Sequence, residues 1–276
     1  MDAMPDAPSL AIRPLASLDE YRAAVDLQYD AWGRELSDVT AATILKIGQR
    51  VGGVSAGAFD DGGRLLGFVF GLTGVEAGRI VHWSHMLAVR ADAQNLGIGR
   101  RLKAFQRAAV ARVGAHVMYW TYDPLVARNA HLNFNVLGVR AAEYARDMYG
   151  DMGSMLSRGI GTDRFVVAWP VDAAELAVRR AEIAAAHDDA AFARAPVVNA
   201  ELGGEMRRAP VAAGVPRLRV RVPVDIGAVQ SADLAAAGQW RADTRAAFEL
   251  LLAAGYRVAG FTADARSGAA HYLFSL

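Results

Sequence analysis

Cysteine is absent from all 276 residues, which excludes disulfides, thiolate metal sites and a cysteine nucleophile. An excess of one charge is missing too. Thirty basic residues against 29 acidic ones leave a formal charge of +1, so no broad field points to nucleic acid or to a membrane surface as partner. No apolar run approaches the roughly 20 residues that a membrane-spanning helix needs. His82, His85 and His131 do not fall at metal-ligand spacing, and no metal is expected. The opening MDAMPDAPSL lacks the basic segment and apolar core of a signal peptide, so the expected location is cytoplasmic. What remains is an ordinary globular composition, 53% hydrophobic and 21% charged, with length enough for one large domain or two small ones.

Residues 11–15 (AIRPL) read as a short strand, and Ser17 with Glu20 three residues on forms a capping-box start for the next helix. Ser37-Asp38 opens a second predicted helix through Arg50. VSAGAFD, the turn DGG and RLLGFVFGL (54–72) make a hairpin, because Asp-Gly between apolar runs favours a tight reversal. RIVHWSHMLAVR (79–90) is a strand, followed by a glycine-containing turn and a long helix, GRRLKAFQRAAVARVG. A strand at 116–123, a short helix from Asn129 to Leu137, and strands at 139–145 and 163–171 complete a mixed α/β order. Past Pro170 the texture turns alanine-rich. A helix, a glycine- and proline-containing linker (200–216) and a smaller β-α-β-β set follow: a strand from Arg217, one helix over 232–255, and two paired strands. The expected division is therefore 1–171 and 172–276, the second part acting as a dimerisation arm, a lid or a degenerate second half.

QNLGIGR (94–100) sits between a strand and a helix. The first N–H groups of a helix lack partners and favour an anion, and glycines let a ligand approach the backbone. The turn has the build of a diphosphate cradle, to which Arg100 and Arg101 would add charge; a ligand-free turn fits the same residues. It matches neither the Walker pattern nor the dinucleotide fingerprint.

Gln94-x-x-Gly97-x-Gly99, after a strand ending Leu87-Ala88-Val89, resembles the acyl-CoA-binding motif of the GNAT superfamily of N-acyltransferases, and residues 11–171 follow its succession of elements. The resemblance implies a mixed, mostly antiparallel sheet flanked by helices, with a small C-terminal β-α-β-β extension beyond it. It implies acetyl-CoA, or another acyl-CoA, as co-substrate. The backbone of Gln94, Asn95, Leu96, Gly97, Ile98, Gly99 and Arg100 would hold the diphosphate, and Leu87, Ala88 and Val89 would pair with the pantetheine arm. It further implies that this strand parts from the next one, with the thioester in the gap. Asn129 resembles the family's CoA-contacting asparagine, though it equally suits a helix cap.

Acylation of an amine requires removal of a proton from the ammonium, work suited to a group titrating near neutrality. Strand alternation places Trp83, His85, Leu87 and Val89 on one face and His82, Ser84 and Met86 on the other. HWSHMLAV also resembles the strand of the arylalkylamine N-acetyltransferases, which makes His85 the expected base. His82 and Glu76 are weaker candidates. Many relatives carry a thiolate-protonating tyrosine four residues before the helix-ending glycine. Here that position, counted from Gly138, is Phe134, leaving Tyr122, Tyr144 or Tyr149 as substitutes, or unaided departure of the thiolate. Asp123 could bind an acceptor ammonium or cap the turn before Pro124; Tyr29, Trp32 and Trp120, with the loops at 128–133 and 150–155, are candidate pocket residues. The expected activity is transfer of an acetyl or succinyl group to the primary amine of a small molecule, with a homodimer formed through the C-terminal segment. The alternative is a degenerate fold that senses CoA.

Overall fold

The computed structural model describes residues 10–150, 159–202, 205–206, 214–264 and 268–276. The opening residues 1–9, the expected pocket loop at 151–155 and most of the predicted linker lie outside the described residues. The described residues fall into two compact units, one up to Trp120 and one from Thr121 on. The boundary lies inside a strand, whereas the sequence pattern changes at 171/172.

In the first unit, β1 (Ala11–Pro14), β2 (Val54–Phe59), β3 (Leu65–Glu76), β4 (Arg79–Val89) and the start of β5 (Val117–Tyr122) form a sheet in that spatial order. Each step is antiparallel except β4–β5, which is parallel. Helices α1 (Leu18–Trp32) and α2 (Ala42–Arg50) come before β2, and α3 (Ile98–Arg112) joins β4 to β5. Tyr21, Ala24 and Leu27 of α1 and Leu45 of α2 pack with Phe68, Phe70, Met86 and Ala88 on one face of the sheet.

The capping box forms in altered shape. Ser17 accepts from the Glu20 N–H at 3.2 Å, while the Glu20 carboxylate accepts from the Ala16 N–H at 2.7 Å and from both terminal nitrogens of Arg13. The bond to Arg13 holds Glu20 near a pKa of about 2. The second helix begins at Ala42, four residues later than expected from Ser37-Asp38. Gln28 explains the delay. Buried on α1, its amide accepts from the Thr40 N–H at 2.8 Å and donates to the Thr40 carbonyl at 3.0 Å. The backbone groups a helix would use at Thr40 are already taken. Strand β3 runs on to Glu76, and Ala77 and Gly78, at φ 47° and 78°, make the two-residue reversal into β4.

In the second unit, α4 (Ala127–Ala130) runs into a π-helical stretch His131–Leu137, which ends at Gly138 in the left-handed conformation. Strand β6 (Arg140–Ala145) pairs antiparallel with β7 (Arg164–Pro170). After α5 (Ala173–Asp188), α6 (Ala190–Arg194) and the short pair β8 (Glu201–Leu202) and β9 (Glu205–Met206) comes a three-stranded antiparallel sheet. Its order is β10 (Arg217–Pro223), β12 (Ala269–Ser275), β11 (Arg257–Asp264), so the two last strands pair as expected. The helix predicted over 232–255 forms as α8 (Leu234–Ala253), and a short helix that was not expected, α7 (Ile226–Ala232), precedes it. Asp233 separates the two by capping α8, accepting from the N–H groups of Ala235 and Ala236 at 2.9 and 3.1 Å. Phe134, Phe165, Phe248 and Tyr272, all fully buried, form the aromatic centre of this unit.

Candidate functional site

The first unit brings three features together along one continuous stretch, β4 to α3. The first is a break in the ladder. Phe70 lies opposite Met86 and Gly71 opposite Ser84, so His85 is an extra residue, a β-bulge. The bulge resets the alternation of side chains. Before it, His82 and Ser84 bond to Gln106 and Lys103 of α3. After it, Met86 and Ala88 join the α1/α2 core, while Leu87 reaches toward α3, its Cδ2 lying 3.6 Å from where a Cβ on Gly99 would stand. This corrects the expected faces: His82 and Met86 do not share one, because one inserted residue shifts the period.

The second feature is a parting of strands. Val81, His82 and Trp83 pair with Val117, Met118 and Tyr119, and the pairing stops there. Leu87, Ala88 and Val89 keep their β3 partners Val69, Phe68 and Gly67. The other edge of this stretch is released from β5, as the resemblance implied.

The third is the turn. A short 3₁₀ turn, Ala91–Ala93, leads to Gln94; Asn95 and Gly97 then take φ of 65° and 72°, and α3 starts at Ile98. No side chain caps the helix. A Cβ on Gly97 would meet nothing within 4 Å, so the surface of the turn is open at the point where the unpaired N–H groups begin. Gln94, Asn95, Leu96 and Arg100 are exposed and Ile98 is buried. Arg101 donates to the Leu10 carbonyl at 2.8 Å, leaving Arg100 as the cation with no partner among the described residues at this turn. Backbone, open surface and charge fit a diphosphate.

His85 is exposed, its ring edge-on to Phe70 at 6.2 Å. Surrounding protein lowers its pKa below 6.5, and the carboxylate of Asp38 opposes the shift. His82 is fully buried and lowered to about 4 by loss of water, with Lys103 adding to the effect. It is a structural imidazole, bonded to Thr73 and Gln106 at 3.0 Å each. Glu76 accepts from the Tyr119 hydroxyl at 3.0 Å.

In the second unit two of the three tyrosines expected to serve the thiolate, Tyr122 and Tyr144, have committed protons. The Tyr122 hydroxyl is buried 3.0 Å from that of Tyr272, which donates to the Pro124 carbonyl, so Tyr122 donates to Tyr272. Tyr144 donates to Asp163 at 2.5 Å, and burial raises its pKa. Tyr149 bonds Thr121 at 2.8 Å. Phe134 is sealed in the aromatic centre. Asp123 caps its turn through the Leu125 N–H at 2.9 Å and pairs with buried Arg241 at 2.6 Å, so its charge is already engaged. Asn129 is half-buried in the first turn of α4, whose N-cap is Val126, so the cap reading fails.

Sequence reasoning missed the buried polar residues between β4 and α3, Ser84, Lys103 and Gln106, and the space that Gly71 of β3 leaves for them. Their signal was the helical spacing of Lys103, Gln106 and Val110, which puts a lysine on the face that α3 buries.

No family model and no curated protein matches the sequence. Among solved structures the chain is similar to the ribosomal-protein-S18-alanine N-acetyltransferase from Escherichia coli, 18% identical over 59% of this chain and 95% of that one, with a TM-score of 0.46. It is also similar to a chain of the NatC complex bound to Gag peptide and CoA, 14% identical over 58% of this chain and 98% of that one, with a TM-score of 0.47. A third is aminoglycoside 6'-N-acetyltransferase complexed with coenzyme A, 15% identical over 59% of this chain and 97% of that one, with a TM-score of 0.45.

Proposed function

We propose that the chain is an N-acyltransferase of the GNAT type that moves an acetyl group from acetyl-CoA to the primary amine of a small molecule. One observation carries the reading: β4 leaves β5 after Trp83–Tyr119, bulges at His85, and runs directly into the open turn that heads α3. A nucleotide diphosphate held at 94–100 would lay its pantetheine along the released edge of Leu87–Val89, toward the bulge. The thioester supplies the activated acyl group. His85, neutral above its lowered pKa, takes the proton from the acceptor ammonium, and the amine nitrogen then bonds the thioester carbon and gives up a second proton to water as the C–S bond breaks. Asp38 places negative charge near His85, which suits a cationic acceptor. With the protons of Tyr122 and Tyr144 engaged elsewhere, the thiolate leaves into water.

The test is a panel of small amines with acetyl- and succinyl-CoA, read by release of free thiol. Turnover with an amine supports the proposal, and larger rates with succinyl-CoA would reassign the acyl group. Thiol release with none of the amines, despite calorimetric binding of acetyl-CoA, would establish the second reading, a CoA-binding sensor. That reading is favoured by Phe134, which sits where a proton donor was expected.

A further inference from the structure

Under the parting of β4 and β5 runs a buried chain of polar groups with a single consistent direction. Lys103 Nζ donates to Ser84 Oγ at 2.7 Å, and Ser84 donates to Gln106 Oε1 at 2.7 Å. The Gln106 amide can then only donate to His82 Nε2, at 3.0 Å, which fixes the imidazole proton on Nδ1. That proton goes to Thr73 Oγ1 at 3.0 Å, and Thr73 donates to the Gly52 carbonyl at 2.7 Å. The chain ties α3, β4, β3 and the turn after α2 together. Space for it is reserved at Gly71, where a Cβ would stand 2.3 Å from His82 Nε2 and 2.7 Å from Gln106 Nε2.

The end of this chain is unusual. Lys103 is 7% exposed and pairs with no carboxylate among the described residues; its amine lies 3.8 Å from the centre of the Trp120 ring. Burial lowers its pKa well below the ordinary value. Ser84 and Trp120 are the residues that follow the last β4–β5 pair, Trp83–Tyr119. The amine therefore contacts both strands where they separate, bonded to the residue next to the bulged His85. A folded chain has no stability reason to keep a lone buried amine there, since an apolar side chain of equal length would avoid its desolvation.

We infer that Lys103 is a positioning residue: bridging Ser84 and Trp120, it fixes the point at which β4 parts from β5 and holds the bulge that aims His85. This rests on the acyl-transfer reading for its catalytic consequence but not for its structural one. The deciding variant is Lys103→Met, which keeps the length and removes the donor, with Ser84→Ala as its partner. In full-length protein the imidazole NMR signals of His85 should move at fixed pH in both variants. The melting temperature of Lys103→Met should hold or rise. With an amine that turns over, kcat should fall about 10- to 100-fold with KM nearly unchanged, as a misaimed group predicts. The double variant should lose no more than the worse single one. Unmoved His85 signals in Lys103→Met overturn the inference whether or not the wild type turns over. So does a lowered melting temperature with activity lost only in proportion to folded protein. A wild type that releases no thiol while its His85 signals respond to Lys103→Met sinks the acyl-transfer reading and leaves the positioning role standing.

Discussion

Ser84 and Met86 lie two residues apart on β4, yet their side chains are on opposite faces of the sheet, Ser84 bonded to α3 and Met86 packed beneath α1. In an unbroken strand they would share a face. The residue between them, His85, absorbs the difference as a bulge, and that places an imidazole at the point where the strand has lost its β5 partner. Bulges recur where a strand must re-aim one side chain or end its pairing. This one does both.

His85→Gln tests the proposed base directly. Removing a positioned general base costs about 10²-fold or more in kcat. A base must be neutral, so wild-type kcat/KM should rise with pH as His85 deprotonates. Because its pKa is lowered, the midpoint of the rise should fall below pH 6.5. In the variant the rising limb should vanish while calorimetric affinity for acetyl-CoA stays near wild type.

How much of this was legible beforehand depends on the distance over which each feature is determined. The open turn was readable because Gln94, Gly97 and Gly99 encode it within six residues. The bulge was not, since HWSHMLAV alternates as an unbroken strand would and only pairing with β3 shows the extra residue. The late start of α2 depends on Gln28, twelve residues before Thr40. The engagement of Tyr122 depends on Tyr272, 150 residues away. Phe134 was rightly read as unable to donate a proton. That its place was taken up by an aromatic core was invisible without α8 and β12.

Gly71→Ala should damage stability more than its size suggests. The added methyl meets His82 Nε2, Gln106 Nε2 and the backbone carbonyl of Trp83, at 2.3, 2.7 and 2.7 Å, and the carbonyl cannot swing away. Overpacking of this kind costs about 1–3 kcal/mol. Urea denaturation at neutral pH should show it as a lower midpoint, whereas Gly74→Ala on the same strand, which meets nothing within 4 Å, should lose much less.

Acid should unfold the first unit through His82. Its pKa is about 4 in the folded chain against 6.5 in a free histidine, so the folded state resists protonation. The neutral form's contribution is complete above pH 6.5 and is lost as pH falls from there toward 4, on the order of 3 kcal/mol for this group. His82→Gln should be less stable at pH 7 but flatter in its stability between pH 6.5 and 4, as measured by denaturation at a series of pH values.

Gly97→Asp examines the turn, and two separate losses should appear. Gly97 has φ of 72°, where a residue with a Cβ pays about 1–2 kcal/mol in backbone strain, though aspartate tolerates it better than most. That strain should lower the melting temperature by a few degrees. The second loss is electrostatic. The side chain would stand in open surface beside the unpaired N–H groups of α3, where its carboxylate competes for them and repels a diphosphate. Gly97→Asn separates the two, having similar shape and strain without the charge. Calorimetric titration with CoA should therefore give at least tenfold weaker binding for Gly97→Asp than for Gly97→Asn, and the gap should narrow as salt is raised. Equal affinities in the two variants would mean that the anion is held elsewhere.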